Sequence, residues 1–458
     1  MLTARIERRE TPEMTALHLA GNNAPVTAEV TLEPAEVIGA VPEELNGVYL
    51  RNGPNPRTGW SPHYFAGDGM VHAVALDAGQ ARWYRNRYVR TPLFEHPGES
   101  RMALAFDQAT GQVDYRVTTA NTHLVAYAGR LLALEEGGFP YEITPELETV
   151  GPYSFGGSLR TPMTAHPKVC PGTGELVFFG YRLRPPYLTY YRAAPSGELV
   201  QEQVVEVPRA TMMHDFAITE NHAIFMDLPV VFDPAGIAAT GMPWRWDDGH
   251  GARFGVMRRD GGPVRWFEVE PCYVWHTMNA SEADGVITVT GCRVPTLWRD
   301  GADDISGGLP NLHEWRLNLA TGTVAERPLD DMPIEYPRVA DAEVGRNHRY
   351  GYVTSFSLEA EPERSEIYKY DLAKGAAREV HRLPDGHTCG EAVFVPRRDS
   401  SGDDDGYLMT FAHDRARGTG YLAILDAADL SARPVAEIHL PVRVPTGFHG
   451  NWVPDALR

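Results

Sequence analysis

Trp315-Arg-Leu-Asn-Leu-Ala-Thr-Gly322 reads as a strand that closes on a polar residue and a turn. The pattern returns at Tyr368-Lys-Tyr-Asp-Leu-Ala-Lys-Gly375 and, more loosely, at Leu422-Ala-Ile-Leu-Asp426. Asn318, Asp371 and Asp426 are thus spaced by about 53 and 55 residues, and Val74-Ala-Leu-Asp-Ala-Gly79 has the same form near the N-terminus. A four-stranded propeller blade takes roughly 40–50 residues before loop insertions. A somewhat larger unit divides the 458 residues into about seven blades. Strand–turn–strand hairpins look alike in any all-β protein, so the repeat by itself leaves other β architectures open.

Working outward, helix-period segments are scarce and strand signals are frequent. Gly47-Val-Tyr-Leu-Arg51, Gly174-Glu-Leu-Val-Phe-Phe-Gly180, Val286-Ile-Thr-Val-Thr290 and Tyr407-Leu-Met-Thr-Phe411 are each short and bounded by Gly, Asp or Pro. The 44 glycines and 36 prolines suit many short strands joined by turns. Asp399-Ser-Ser-Gly-Asp-Asp-Asp-Gly406 is a polar loop between strands, and no low-complexity linker divides the chain. One propeller domain spanning residues 1–458 is the expectation.

Hydrophobic residues make up 43 % and charged residues 22 %, a globular composition. A net charge of −19 repels nucleic acid and gains nothing from anionic lipid headgroups. The four cysteines are far apart and form no C-x-x-C, which argues against zinc-ribbon and thioredoxin-like chemistry. The N-terminus has basic residues but no apolar run behind them, and no transmembrane span follows. The expected compartment is the reducing cytoplasm.

Four of the 17 histidines stand out by their surroundings. They are His166 in Thr161-Pro-Met-Thr-Ala-His-Pro-Lys168, His214 in Met212-Met-His-Asp-Phe-Ala217, His276 in Val274-Trp-His-Thr-Met-Asn279 and His449 in Gly447-Phe-His-Gly-Asn-Trp452. Each sits at the edge of a predicted strand among apolar or small residues. Taken singly, such a histidine is more often a hydrogen-bonded core residue than a metal ligand. Their separation in sequence shows no convergence, and H-E-x-x-H is absent.

These four motifs, in order, resemble the iron-ligand motifs of the carotenoid cleavage oxygenases. The resemblance extends to Leu45-Asn-Gly-Val-Tyr-Leu-Arg-Asn-Gly-Pro-Asn55, Phe65-Ala-Gly-Asp-Gly-Met-Val-His72, Tyr84-Arg-Asn-Arg-Tyr-Val-Arg-Thr91 and Glu391-Ala-Val-Phe-Val-Pro-Arg397 with Asp405-Gly-Tyr407 downstream. It runs from about residue 30 to Trp452. It implies an all-β, seven-bladed propeller with a metal site on its axis and a cap of loops and short helices on one face. Each histidine would then come from the inner strand of a different blade.

The resemblance further implies Fe(II) held by His166, His214, His276 and His449, with O2 as co-substrate. The reaction implied is oxidative cleavage of a C=C bond to two carbonyl products. Four neutral imidazoles suit iron(II) and leave up to two of six positions open. The family's glutamates that orient these histidines match Glu136, Glu335 and Glu391, which would hold His214, His276 and His449. His166 would have no carboxylate. Without the resemblance, Glu335 and Glu391 read as solvated strand-end charges. His63 and His72 lie in matched motifs but are not ligand positions, and both read as structural.

Family members act on carotenoids, apocarotenoids, stilbenes or phenylpropenes. The stilbene and phenylpropene cleavers typically carry a lysine just before the first orienting glutamate, where it contacts a phenol. Glu135 stands there in this chain, and a bare carboxylate repels a phenolate. A tyrosine of those enzymes is matched most nearly by Phe94. The expectation is therefore a carotenoid or apocarotenoid substrate, with a stilbene or phenylpropene as the alternative. Phe139, Met163, Met213, Trp275 and Phe448 are candidates for an apolar tunnel wall, although propeller core is the commoner role for such residues. Within Phe225–Trp244, Leu228, Val230, Val231 and Ile237 would form a membrane-contacting patch if exposed together. A propeller that binds apolar ligands without catalysis is a further alternative. So is an isomerase on the same iron site.

Overall fold

The computed structural model describes residues 17–236, 243–299, 307–359 and 361–455. Seven antiparallel sheets make a propeller. From the inner strand outward, the first blade is Gly450–Pro454, Gly47–Pro54, Gly69–Asp77 and Gln80–Tyr88, with Thr31–Leu32 as an extra edge. Blades two to six follow in chain order over 123–152, 168–205, 217–268, 273–328 and 334–382. In the seventh, His387–Cys389 and Val393–Pro396 both pair with Gly406–Asp414, followed by Thr419–Asp426, Ala436–His439 and Glu36–Gly39.

The ring closes twice. A C-terminal strand is the inner strand of the first blade, and an N-terminal strand is the outer edge of the last. These pairings protect strand edges that would otherwise be open. Apolar residues fill the wedges between blades. One such cluster brings Phe254, Tyr273 and Trp315 together between the fourth and fifth blades.

The polar residues that mark the repeat have one structural meaning. Asp77, Asn318, Asp371 and Asp426 each end the third strand of a blade. Asn318 and Asp426 cap the turns that follow, accepting from backbone N–H groups two or three residues on. All four strands read from the sequence are present, and 399–405 is a loop.

One face carries a cap built from Pro92–Glu95, Arg101–Ala105 and the small sheet Val230–Phe232 with Trp244–Trp246. That sheet overturns the expected patch. Leu228, Val230 and Val231 are buried, because Val230 to Phe232 pair with Trp244 to Trp246 and turn into core. Ile237 lies outside the described residues. Among the described residues no helix is long and apolar enough to cross a membrane.

Candidate metal centre

The axial histidines approach from different blades, but mostly not from within strands. His276 alone lies in one, Tyr273–Ala283. His166 and His214 precede the inner strands of the third and fourth blades, and His449 precedes that of the first. Inner strands crowd at the axis, and a side chain aimed along it has to leave the pleat. For His276 the device is a bulge. The register slips between Val274 and Thr277, so that Trp275 and His276 together oppose one residue.

One potential ligand atom from each of His166, His214, His276 and His449 lies within 4.8 Å of the others. The Nε2 atoms of His166 and His214 are 3.0 Å apart, and those of His214 and His276 3.3 Å. On the far side of three rings, Nδ1 meets a carboxylate. His214 meets Glu136 at 2.6 Å, His276 meets Glu335 at 2.6 Å, and His449 meets Glu391 at 3.0 Å. An ionised carboxylate only accepts, so Nδ1 carries the proton and Nε2 presents a lone pair.

Lone pairs that face one another cannot hydrogen-bond; a cation satisfies them. Two nitrogens bound about 2.1 Å from one ion at a right angle lie about 3 Å apart, as these do. The residues therefore fit a metal ion. Two of the imidazoles are also held neutral, as ligation requires. Burial, then the neighbouring imidazoles, push His166 and His449 well below the ordinary histidine range. Burial acts the same way on His276, but the Glu335 carboxylate outweighs it and raises its pKa.

Each carboxylate is itself pinned. Glu136 Oε1 accepts from the Tyr181 hydroxyl at 2.6 Å. Glu335 Oε2 accepts from the Tyr336 N–H at 2.6 Å. Glu391 Oε2 accepts from the Gly450 N–H at 2.8 Å and from Arg338 at 3.3 Å. Glu335 and Glu391 are 3 % exposed, so neither is a solvated strand end. Among the described residues no carboxylate pairs with His166; its neighbour Thr164 caps the backbone N–H. Tyr336, between two of these anchors, takes φ +56. It stacks on His276 with ring centroids 5.6 Å apart. Strain at a non-glycine residue persists where the surroundings fix it.

The site opens on a cavity of about 2240 Å³. Trp275, Phe448, Phe65 and Tyr64 form an aromatic wall beside the histidines. Of the other candidates for this wall, Met163 and Met213 are buried in blade core, and Phe139 packs against it. Phe94 is core too, stacked near Tyr88 and flanked by Arg57 and Arg90. His72 is structural as expected, buried and bonded to the Tyr84 hydroxyl. His63 caps a short helix at the cavity edge.

Glu135 is not the bare charge its position suggested. It receives two N–H bonds from Arg101, one from the Gly137 backbone and one from Thr118 Oγ1. Burial opposes its charge, but Arg101 prevails and holds the pKa below the usual carboxylate range. Sequence reasoning missed Arg101, Tyr181, Arg338 and Tyr336. None of these residue types is diagnostic, and only their place beside the glutamates gives them meaning.

Comparison with known proteins agrees with this geometry. The family of the retinal pigment epithelial membrane protein matches residues 23–454. A carotenoid cleavage oxygenase of Mycobacterium tuberculosis is 38 % identical over 510 aligned positions, covering 99 % of this chain and 100 % of that one. The chain belongs to the carotenoid cleavage oxygenase family. Among solved structures, Pseudomonas brassicacearum lignostilbene dioxygenase superposes with a TM-score of 0.86 at 28 % identity, covering 97 % of this chain and 100 % of that one. A Synechocystis apocarotenoid oxygenase variant gives 0.83 at 26 % identity, covering 94 % and 97 %.

Proposed function

We propose that this carotenoid cleavage oxygenase homologue is an Fe(II)-dependent dioxygenase. In this reading it splits one C=C bond of an apolar conjugated substrate into two carbonyl products, on a single propeller unit. The observation that carries the reading is the set of four converging imidazoles, three tied to carboxylates, at the inner end of a large aromatic-walled cavity. His166, His214, His276 and His449 would hold the iron, which when bound supplies activation of O2. Glu136, Glu335 and Glu391 fix three imidazoles in the tautomer that presents Nε2. Trp275, Phe65 and Phe448 hold the alkene against the open side and exclude water.

An apocarotenoid or carotenoid remains the favoured substrate, from the apolar walls and the carotenoid-cleaving relative. A stilbene is the second reading, and one observation favours it. Arg101 neutralises Glu135, so the expected repulsion of a phenolate falls away. Met102, Leu183, Leu309 and Leu358 are exposed along the cavity lining. This apolar rim, rather than the 225–244 segment, would meet a membrane that carries the substrate.

The test is iron-loaded protein incubated with carotenoids, apocarotenoids and hydroxystilbenes under O2. Paired aldehydes identified by mass, with matching oxygen uptake, are expected. Isomerised product without oxygen uptake would replace the oxygenase with an isomerase. Iron-free purified protein that binds polyenes and takes up no iron would leave a binding propeller.

A further inference from the structure

Arg51 stands in Gly47–Pro54, the second strand of the first blade counted from the axis, and is 5 % exposed. A guanidinium so deeply placed needs a carboxylate or several carbonyls to replace its hydration. Arg51 has neither. No carboxylate pairs with it and no acceptor meets its guanidinium among the described residues, and its Nε is fully enclosed without a partner. Among the described residues its one cation–π neighbour is the Phe411 ring, 6.0 Å from Cζ, at the limit of such an interaction. The nearby carboxylate of Glu391 is already taken by His449, Gly450 and Arg338.

The Arg51 guanidinium lies where a Cβ of Gly447 would be, two residues from His449, so that glycine makes room for it. Tyr49, Tyr64, Tyr84 and Tyr336 lie within electrostatic reach. Arg51, Tyr49, Tyr64 and Tyr336 all line the cavity. The hydroxyls of Tyr64 and Tyr336 have no side-chain partner among the described residues. Arg443 is a second cation with no carboxylate partner among the described residues, bonding to Asn22 and to the Pro25 carbonyl. Buried positive charge, hydroxyl donors and an opening to the cavity together make a receptor for negative charge.

We propose that Arg51, with Tyr64 and Tyr336 as flanking donors, binds a carboxylate-type oxyanion on the inner cavity wall. This goes beyond alkene cleavage and does not depend on which bond is cut. The oxyanion has two sources: the carboxylate end of a polyene acid, or a free small anion such as formate.

The experiment measures binding to the metal-loaded protein by quenching of tryptophan fluorescence. The probes are a retinoid acid, the alcohol of the same carbon skeleton, and sodium formate. We expect the acid to bind at least tenfold more tightly than the alcohol. Arg51→Met should reduce that preference below twofold, and Arg51→Lys should keep part of it. Tyr64→Phe, which removes one hydroxyl and no bulk, should weaken the acid about threefold and leave the alcohol unchanged. Formate that displaces the acid assigns the site to free oxyanions; formate without effect assigns it to the polyene-borne carboxylate. Equal binding of acid and alcohol by the native protein, with no formate effect, overturns the proposal and leaves a hydrated guanidinium. A preference that survives both Arg51→Met and Tyr64→Phe also overturns it, because the carboxylate is then held elsewhere, as on the metal. If Arg51→Met does not fold, the native protein and Tyr64→Phe still decide.

Discussion

The inner end of the cavity and its mouth are built on opposite terms, and two adjacent residues mark the boundary. Glu136 turns inward to His214 and is held by Tyr181. Glu135 faces the cap and is held by Arg101. Inward, every Nδ1 and every carboxylate oxygen of the three histidine–carboxylate pairs except Glu335 Oε1 has a partner, and the Nε2 lone pairs are left for a cation. Outward, the rim offers exposed methionine and leucine side chains and one ion pair. A metal demands particular donors at particular distances, whereas an apolar substrate demands only volume and dryness. The inner end therefore specifies a chemistry and the mouth only a class of substrate.

The contrast breaks first at the histidines. His449→Ala removes one of four converging nitrogens and leaves Glu391 buried without its imidazole. Iron content and turnover are both expected to disappear. Full activity in an iron-free His449→Ala protein would refute the metal assignment. Loss of an orienting carboxylate is expected to do less. Glu391→Gln and Glu136→Gln should each retain iron about 10–100-fold more weakly, read by competition with a chelator. His166 supplies the control: it has no such carboxylate, so Thr164→Ala should change iron retention far less than Glu391→Gln. Equal losses in the two variants would mean that the carboxylates do not orient the ligands.

Much of the inner end was legible in the sequence, but the histidines only through resemblance. His166, His214, His276 and His449 each read singly as a core histidine, and it is their match to the family's motifs that set them apart before the structure brought them together. Asn318, Asp371 and Asp426 mark blades because each ends the third strand of one, and Asn318 and Asp426 cap the turn that follows. What could not be read was direction. The bulge at Trp275 and His276 depends on the register against the neighbouring strand, which no local pattern carries. The inner-strand placement expected for all four histidines held for one, since an axis shared by seven strands leaves room for side chains mainly where strands begin. Phe94 was matched to a substrate-facing position and lies in core instead. A few residues on, Arg101 faces the cavity and binds the Val117 carbonyl, 16 residues away in sequence. Charge reasoning on Glu135 failed because its partner lies 34 residues away.

The middle of the cavity tests that correction. Arg101→Met leaves Glu135 with only Thr118 and the Gly137 N–H. The pair is partly open to the cavity, so the expected loss of stability is about 1–2 kcal/mol by denaturant unfolding. Arg101→Met/Glu135→Gln should recover most of it. Catalysis should divide by substrate: a hydroxystilbene should lose several-fold in kcat/KM through KM, and a hydrocarbon carotenoid should change little. Equal losses for both would mean that the pair only braces the helix Arg101–Ala105.

The smallest effect is expected at the rim. Met102 and Leu183 are 65 % and 45 % exposed at the cavity, and their burial in a bilayer interface would lower the cost of drawing a polyene out of it. Each side chain contributes roughly 1–2 kcal/mol if fully buried there. The chain's net charge of −19 works against anionic lipid, so the contact should be strongest on neutral vesicles and insensitive to salt. Flotation with phosphatidylcholine liposomes is expected to carry the native protein upward and the Met102→Asp/Leu183→Asp variant about tenfold less, with no change in turnover of a detergent-dispersed substrate. Absence of native protein from the floated fraction at every lipid load would confine the rim to guiding substrate from solution, and leave the inner end unaffected.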